Sequence, residues 1–146
     1  QSTEIPESDD PRIIIDRTAP VDEKELYRGF DAVIMPRRYG GACLPMNEAL
    51  AAGLPVIMPD VDPNNKILPK EWLVKSQHMG TFMTRAEVDL FSVEHQALAD
   101  KIIEFDNLPG ADITAFKIRA REIAVKEYSS EAVLEKWALL LEKLGV

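Results

Sequence analysis

Short apolar runs rich in β-branched residues alternate with helix-forming segments in the first 60 residues of the chain. The runs are residues 13–15, 32–35 and 55–58. Between them, residues 22–29 begin with acidic side chains and end at a glycine, which is typical of a short helix. Residues 45–52 lie between Pro45, which suits a first helical turn, and Gly53, which suits a helix end. Strands that alternate with helices pair in parallel, so the sequence predicts an α/β fold built on a parallel sheet.

The remainder of the chain predicts one more strand and three helices. Residues 59–77 contain several prolines and asparagines and indicate a long irregular connection. Residues 80–83 predict a weak fourth strand. Three apolar stripes at helical spacing follow. They are Leu98, Ile102 and Phe105; Ile113, Phe116, Ala120 and Ile123; and Val133, Trp137, Leu140 and Leu144. Ser130, followed by Glu131, is the predicted N-cap of the last helix.

Acidic residues exceed basic ones, 25 against 17, and the net charge is −8. No run of four basic residues occurs, so the sequence argues against a general nucleic-acid binder, which needs clustered Lys and Arg. The excess is confined to residues 1–10, which we expect to belong to a flexible lead-in over 1–11, and to residues 59–146. Residues 11–58 carry six acids and six bases. This neutral segment is therefore the part best suited to a phosphate-bearing ligand.

Cysteine and histidine are scarce. Cys43 is the single cysteine, and His78 and His95 are far apart, so we expect neither a disulfide nor a Cys or His metal site. His78 is predicted in a loop and His95 on a helix surface. A lone cysteine favours a reducing, cytoplasmic location. No apolar run approaches the ~20 residues that span a bilayer, and the acidic start does not resemble a signal peptide, so membrane association is not indicated.

The loop after the second predicted strand is the most favourable place for a ligand. Ligands of open parallel sheets bind beyond the carboxyl ends of the strands. Gly40 and Gly41 allow close approach of the backbone, and the helix that follows directs free N–H groups towards the loop. These features predict an anion site near Arg37 and Arg38. Two alternatives remain: the glycines form only a turn, and the arginines lie on a solvated edge.

Glu48 is the only charged residue of the predicted helix at 45–52. The small and apolar residues around it predict a buried helix, and a buried carboxylate needs hydrogen-bond donors. The two hydroxyl groups of a ribose are suitable donors. The alternative is a simple helix cap or dipole partner.

Four other residues invite a functional interpretation. Asp60 follows the third strand and either lies near the ligand or forms a turn. Cys43 is expected to pack as a small apolar residue, because a nucleophilic role needs a nearby base and the motif contains no histidine. Trp72 and Trp137 are expected to be packing residues.

Residues 26–60 resemble the nucleotide-sugar-binding motif of the retaining GT-B-fold glycosyltransferases called glycosyl transferases group 1. In that family a Leu-Tyr pair precedes an aspartate-headed strand that ends in proline. A Glu-Gly-Phe-Gly-Leu-Pro loop, a Glu-Ala-Met-Ala-Ala-Gly helix and a Pro-Val-Ile strand follow. The matching segments here are Leu26-Tyr27, residues 31–36, Leu44-Pro45, residues 48–53 and residues 55–57. HQALADKI and YSSEAVLEKW are similar to the closing helices of the family.

The resemblance implies a Rossmann-like fold and a donor-binding function. Residues 12–146 would be the C-terminal donor-binding lobe of a two-lobed enzyme, without its first strands and without the N-terminal acceptor-binding lobe. The complete enzyme would transfer a sugar from a nucleoside-diphosphate sugar to an acceptor with retention, and the isolated lobe would be inactive. The helix dipole and backbone amides would stabilise the leaving diphosphate, so no metal and no cofactor besides the donor are implied.

The resemblance also assigns residues. Glu48 would bind the ribose hydroxyls, residues 41–44 would face the diphosphate and the sugar, and Arg17 with Thr18 would border the base. The predicted binding residues are therefore Arg17, Thr18, Arg37, Arg38, Gly40, Gly41, Ala42, Cys43, Leu44 and Glu48. The family has a second motif position for glutamate, which precedes the one matched by Glu48 with seven residues between them. This chain has Gly40 at that position. That departure favours one alternative, a non-catalytic nucleotide-binding module of the same ancestry. A second alternative is a sugar-nucleotide epimerase of the same fold, which would use the same crevice for a different reaction.

Overall fold

The computed structural model describes residues 7–18 and 22–145. Within these ranges, the strands are β1 (Val33–Ile34), β2 (Val56–Pro59), β3 (Leu73–Val74), β4 (Ser76–Met83) and β5 (Glu87–Val93). The first three form a parallel sheet with β2 in the centre, and β4 pairs with β5 as a separate antiparallel hairpin. Val33 is opposite Val56, and Met58 is opposite Leu73. The predicted α/β fold with a parallel sheet is confirmed at this level.

Helices flank the sheet and form the C-terminal part of the described chain. The α-helices are α1 (Leu44–Ala51), α2 (His95–Asp106), α3 (Gly110–Tyr128) and α4 (Ser130–Leu144). The short 3₁₀-helices are Glu23–Tyr27, Asn64–Lys66 and Lys70–Trp72. All four α-helices lie where the sequence predicts them, and Pro45 occupies the first turn of α1. Across the described residues, none of the helices has the length and apolarity needed to cross a membrane.

The predicted first strand, residues 13–15, is wrong. These residues form no strand, and Ile13 and Ile14 are 54% and 88% exposed. A three-residue apolar run does not determine a strand, which also needs a neighbouring strand to bond its backbone. The third strand of the sheet is instead β3, from within the segment predicted as irregular. The sheet order is therefore β1-β2-β3.

Four smaller predictions also need correction. Ser129, not Ser130, is the N-cap of α4: its side chain accepts a hydrogen bond from the Ala132 amide at 3.1 Å. His78 lies on β4 rather than in a loop. The predicted strand at 80–83 is part of β4, but its partner β5 was not predicted. Trp137 was predicted to be a packing residue but is 58% exposed. None of the residues of α4 is buried, so its apolar stripe stays accessible in the described chain.

The core lies between the central strand β2, helix α1 and helix α3. Its buried residues are Cys43, Met46, Ala49, Leu50, Leu54, Val56, Met58, Leu68, Trp72, Ala120 and Ala124. The small residues Ala120 and Ala124 allow α3 to approach α1 closely. The Arg121 guanidinium donates to the Ala51 carbonyl at 2.6 Å and satisfies one free acceptor at the end of α1. These contacts fix α1, and with it the position of the loop that precedes it.

Candidate functional site

A groove opens where strand β1 ends and helix α1 begins. Its volume is about 450 Å³. The lining residues are Met35, Pro36, Arg37, Ala42, Cys43 and Pro45. The groove therefore occupies the carboxyl end of a parallel strand, where ligands of open α/β sheets bind. The structure brings Arg37, Ala42 and Cys43 together here, as three of the predicted binding residues.

The first turn of α1 faces this region with unused backbone donors. Cys43 is the N-cap residue, with φ −123°, and its side chain makes no capping hydrogen bond. Pro45 has no N–H, and the amides of Leu44 and Met46 have no acceptor within the helix. No acidic side chain lies in the first turn. The helix end therefore keeps the partial positive charge that favours an anion.

Arg37 adds a full positive charge to the groove. Its Nη1 atom is buried and has no hydrogen-bond partner among the residues that the structure describes. The guanidinium carbon lies 5.5 Å from the centre of the Tyr39 ring, in a cation–π contact, and the Arg37 amide donates to the Met35 carbonyl at 2.8 Å. A buried N–H without an acceptor is unfavourable. An anion in the groove would supply that acceptor.

Gly40 and Gly41 are required for two different reasons. Gly41 has φ +113°, a conformation that other residues rarely adopt. Gly40 packs against the backbone of the loop after β2. A Cβ atom at position 40 would overlap the Asp62 carbonyl oxygen and lie 2.9 Å from its carbon and 3.3 Å from Cδ of Pro63. Position 40 therefore has no room for a glutamate unless the loop moves.

The β4–β5 hairpin supports the glycine loop from outside. The Phe91 amide donates to the Arg38 carbonyl at 2.7 Å, and the Tyr39 and Phe82 rings are 5.8 Å apart. The side chain of Arg38 is exposed and is not part of the groove lining. Sequence reasoning missed this support, although the alternation of apolar Val88 and Leu90 with polar neighbours is a signal for a strand.

Glu48 is exposed, so the predicted burial of its carboxylate is wrong. The helix composition suggested burial, but Glu48 lies on the outward face of α1, whereas Ala49 and Leu50 point into the core. The carboxylate nevertheless has a donor, because the Tyr27 hydroxyl donates to its Oε2 atom at 2.7 Å. Two causes raise the pKa of Tyr27 to about 12: burial of the phenol is the larger, and the Glu48 carboxylate is the next. A tyrosine hydroxyl is protonated at neutral pH in any case, and the raised pKa keeps this one a donor to higher pH.

Arg17 and Thr18 lie in a different environment. Arg17 lines a separate depression with residues from 7 to 15, and none of these lines the groove. The Thr18 amide and hydroxyl both donate to Asp16 Oδ1, at 2.9 and 2.6 Å. The structure thus does not bring these two residues to the groove.

Asp60 serves the loop after β2. Its carboxylate accepts a hydrogen bond from Asn65 Nδ2 at 2.7 Å, and its amide donates to the Val74 carbonyl at 2.8 Å. Of the two interpretations of Asp60, these contacts favour the turn. Throughout residues 7–18 and 22–145, no cluster of three or more His, Cys, Asp or Glu side chains is arranged to hold a metal ion.

The chain was compared with family models, curated proteins and solved structures, and no match was found in any of the three comparisons. A functional assignment therefore depends on the groove, the free amides of α1 and the Tyr27–Glu48 pair. Arg37 and the free amides offer positive charge, and Glu48 on the same helix offers a carboxylate acceptor.

Proposed function

We propose that the chain is the nucleotide-sugar donor-binding lobe of a retaining, metal-independent glycosyltransferase of the cytoplasm, with a Rossmann-like fold. The observation that carries the proposal is the buried, unpartnered Nη1 of Arg37 in a groove at the start of α1. The motif resemblance over residues 26–60 supports the same assignment. The free, buried Cys43 thiol fits a reducing compartment.

The groove is suited to the diphosphate of the donor. Arg37 would supply charge-assisted hydrogen bonds, and the amides of Leu44 and Met46 would supply backbone donors. Leaving-group charge that develops on the diphosphate would be stabilised by this arrangement. The chain is acidic overall, but residues 11–58 are neutral and contain the groove.

Glu48 is suited to the ribose of the same nucleotide. Pro45 lines the groove, and Glu48 follows it by three residues on the same face of α1. This spacing corresponds to about 4.5 Å along the helix axis, which is within the length of a nucleoside diphosphate. A carboxylate accepts hydrogen bonds from two neighbouring hydroxyl groups. The acceptor would be bound by an opposite lobe, and the lobe alone would not transfer sugar.

A nucleotide titration of the chain, followed by NMR, tests the binding part of the proposal. UDP or GDP is expected to shift the amide signals of Gly41–Leu44 at millimolar or tighter affinity. Arg37→Met should weaken binding by about tenfold, the effect of losing one charge-assisted hydrogen bond. Arg38→Met is the matched control, because it removes the same charge from an exposed position outside the groove. Unchanged amide signals at saturation, or equal effects of both variants, would reject the proposal.

A second candidate function is a non-catalytic nucleotide-binding module. The observation that favours it is the packing of Gly40 on the Asp62 carbonyl, which excludes a glutamate at that position. Both candidates predict nucleotide binding, so only turnover separates them. Joined to an acceptor-binding lobe, a catalytic lobe should transfer sugar from a UDP-sugar or GDP-sugar. A binding module should release neither nucleotide nor sugar product.

A further inference from the structure

We infer that Tyr27 is a positioning residue for nucleotide recognition, which holds the Glu48 carboxylate in the orientation that accepts the ribose hydroxyls. This inference rests on the proposed function. It concerns a residue that contacts Glu48 rather than the groove itself. It therefore predicts an effect on the recognition of ribose and no effect on the recognition of phosphate.

The two partners differ in how firmly they are held. Tyr27 is partly buried and packs against the core cluster between β2, α1 and α3. Glu48 is exposed, and the ion pairs among the described residues do not include it. An exposed glutamate without a partner samples several rotamers. The hydrogen bond from a core-anchored phenol therefore restricts Glu48 to one orientation.

The hydrogen bond leaves acceptor capacity free. A carboxylate has about four lone-pair sites, and Tyr27 uses one of them on Oε2. Oε1 and the second site of Oε2 remain for two neighbouring hydroxyl groups. The hydroxyl of Tyr27 is protonated at neutral pH, as an ordinary phenol is, so it serves as the donor of this hydrogen bond.

The test compares five forms of the 146-residue chain: wild type, Tyr27→Phe, Glu48→Gln, the double variant that carries both changes, and Tyr128→Phe. Tyr128→Phe is the matched control, since Tyr128 is also partly buried and packs against the same core cluster. Calorimetry measures the dissociation constants of UDP and GDP and of their 2′,3′-dideoxy counterparts. The readout is the ratio of the dideoxy constant to the ribose constant. Thermal unfolding by circular dichroism verifies that each variant is folded.

The ratio of the dideoxy constant to the ribose constant should fall by about tenfold in Tyr27→Phe and in Glu48→Gln. A change of this size corresponds to the loss of one hydrogen bond to a charged group. Tyr128→Phe should leave it unchanged. The double variant of Tyr27 and Glu48 should have the ratio of Glu48→Gln alone, because Tyr27 acts through that carboxylate.

Two results would overturn the inference while leaving the proposed function intact. One is a ratio that depends on Glu48 but not on Tyr27. The other is a Tyr27→Phe variant that binds ribose and dideoxy nucleotides more weakly by the same factor, which indicates a purely structural role. If wild type binds neither nucleotide at millimolar concentrations, the proposed function fails and the inference fails with it.

Discussion

Substitution of Gly40 by alanine tests the packing that defines the glycine loop. The added Cβ would meet the Asp62 carbonyl group, with its carbon at 2.9 Å and Pro63 Cδ at 3.3 Å. The obstacle is backbone, so the loop after β2 has to shift. Overpacking of this kind costs about 1–3 kcal/mol, whereas alanine recovers about 0.4–1 kcal/mol by restricting the unfolded chain.

We therefore expect Gly40→Ala to lower the free energy of unfolding by about 1 kcal/mol, the difference between these two effects, which corresponds to a melting temperature lower by roughly 2–4 °C. Urea unfolding followed by circular dichroism measures the change. Gly110→Ala is the control, because a Cβ at the first residue of α3 meets no atom within 4 Å. It should leave stability unchanged or raise it by about 0.4–1 kcal/mol.

Gly40→Glu extends the same test to the glutamate of the family motif. Its Cβ meets the same carbonyl, so it should destabilise the chain at least as much as Gly40→Ala. Equal stability of Gly40→Ala and Gly110→Ala would refute the packing of position 40 against Asp62. A Gly40→Glu chain as stable as wild type would refute the conclusion that this position has no room for a glutamate.

Three further predictions concern the core, a helix end and an ionisable group. Leu50→Ala should lower the free energy of unfolding by about 3 kcal/mol in urea titration, because Leu50 is completely buried, and a loss below about 1 kcal/mol would contradict its place in the core. Ser129→Ala should reduce stability by about 1 kcal/mol in thermal unfolding, and Ser130→Ala should have little effect, because only Ser129 caps α4. The pKa of Tyr27, about 12, lies above the ordinary value of 10, so its contribution to stability is complete below pH 10 and is lost as the pH rises through 12. The chain has three tyrosines, so the ultraviolet absorbance of Tyr27→Phe is subtracted from that of wild type to isolate the Tyr27 transition. That difference should be a late tyrosinate transition, and a difference transition near pH 10 would contradict the burial of Tyr27.

Short sequence patterns, such as helix-ending residues and apolar runs, predicted α1 and β2. Pro45 and Gly53 mark the start and end of α1, and the apolar run before Pro59 marks β2. The position of the groove follows from these elements, since it lies where a parallel strand ends and a helix begins. Pairing over long distances was not predictable in the same way. β3 has two residues, too few to form a pattern, and an isoleucine run at 13–15 has the composition of a strand but no strand beside it.

The chemistry of the site depends on contacts that no short segment encodes. Tyr27 and Glu48 are separated by 21 positions, and their hydrogen bond requires α1 to be packed with Glu48 on its outward face. The crowding at Gly40 comes from Asp62 on the loop after β2. Arg37 has no distinguishing sequence pattern, and only the folded chain shows that its Nη1 is buried while the side chain of Arg38 is exposed.

The support of the glycine loop by the hairpin has a consequence for sequence variation. The bond between the Phe91 amide and the Arg38 carbonyl joins two backbone groups, so it does not depend on the side chains at either position. Substitutions at 38 and 91 can change surface charge and aromatic contacts while the path of the loop is kept. Proline at 91 is the exception, because it has no N–H to donate. Positions 38 and 91, which do not line the groove, can therefore vary while the backbone of the glycine loop keeps its path.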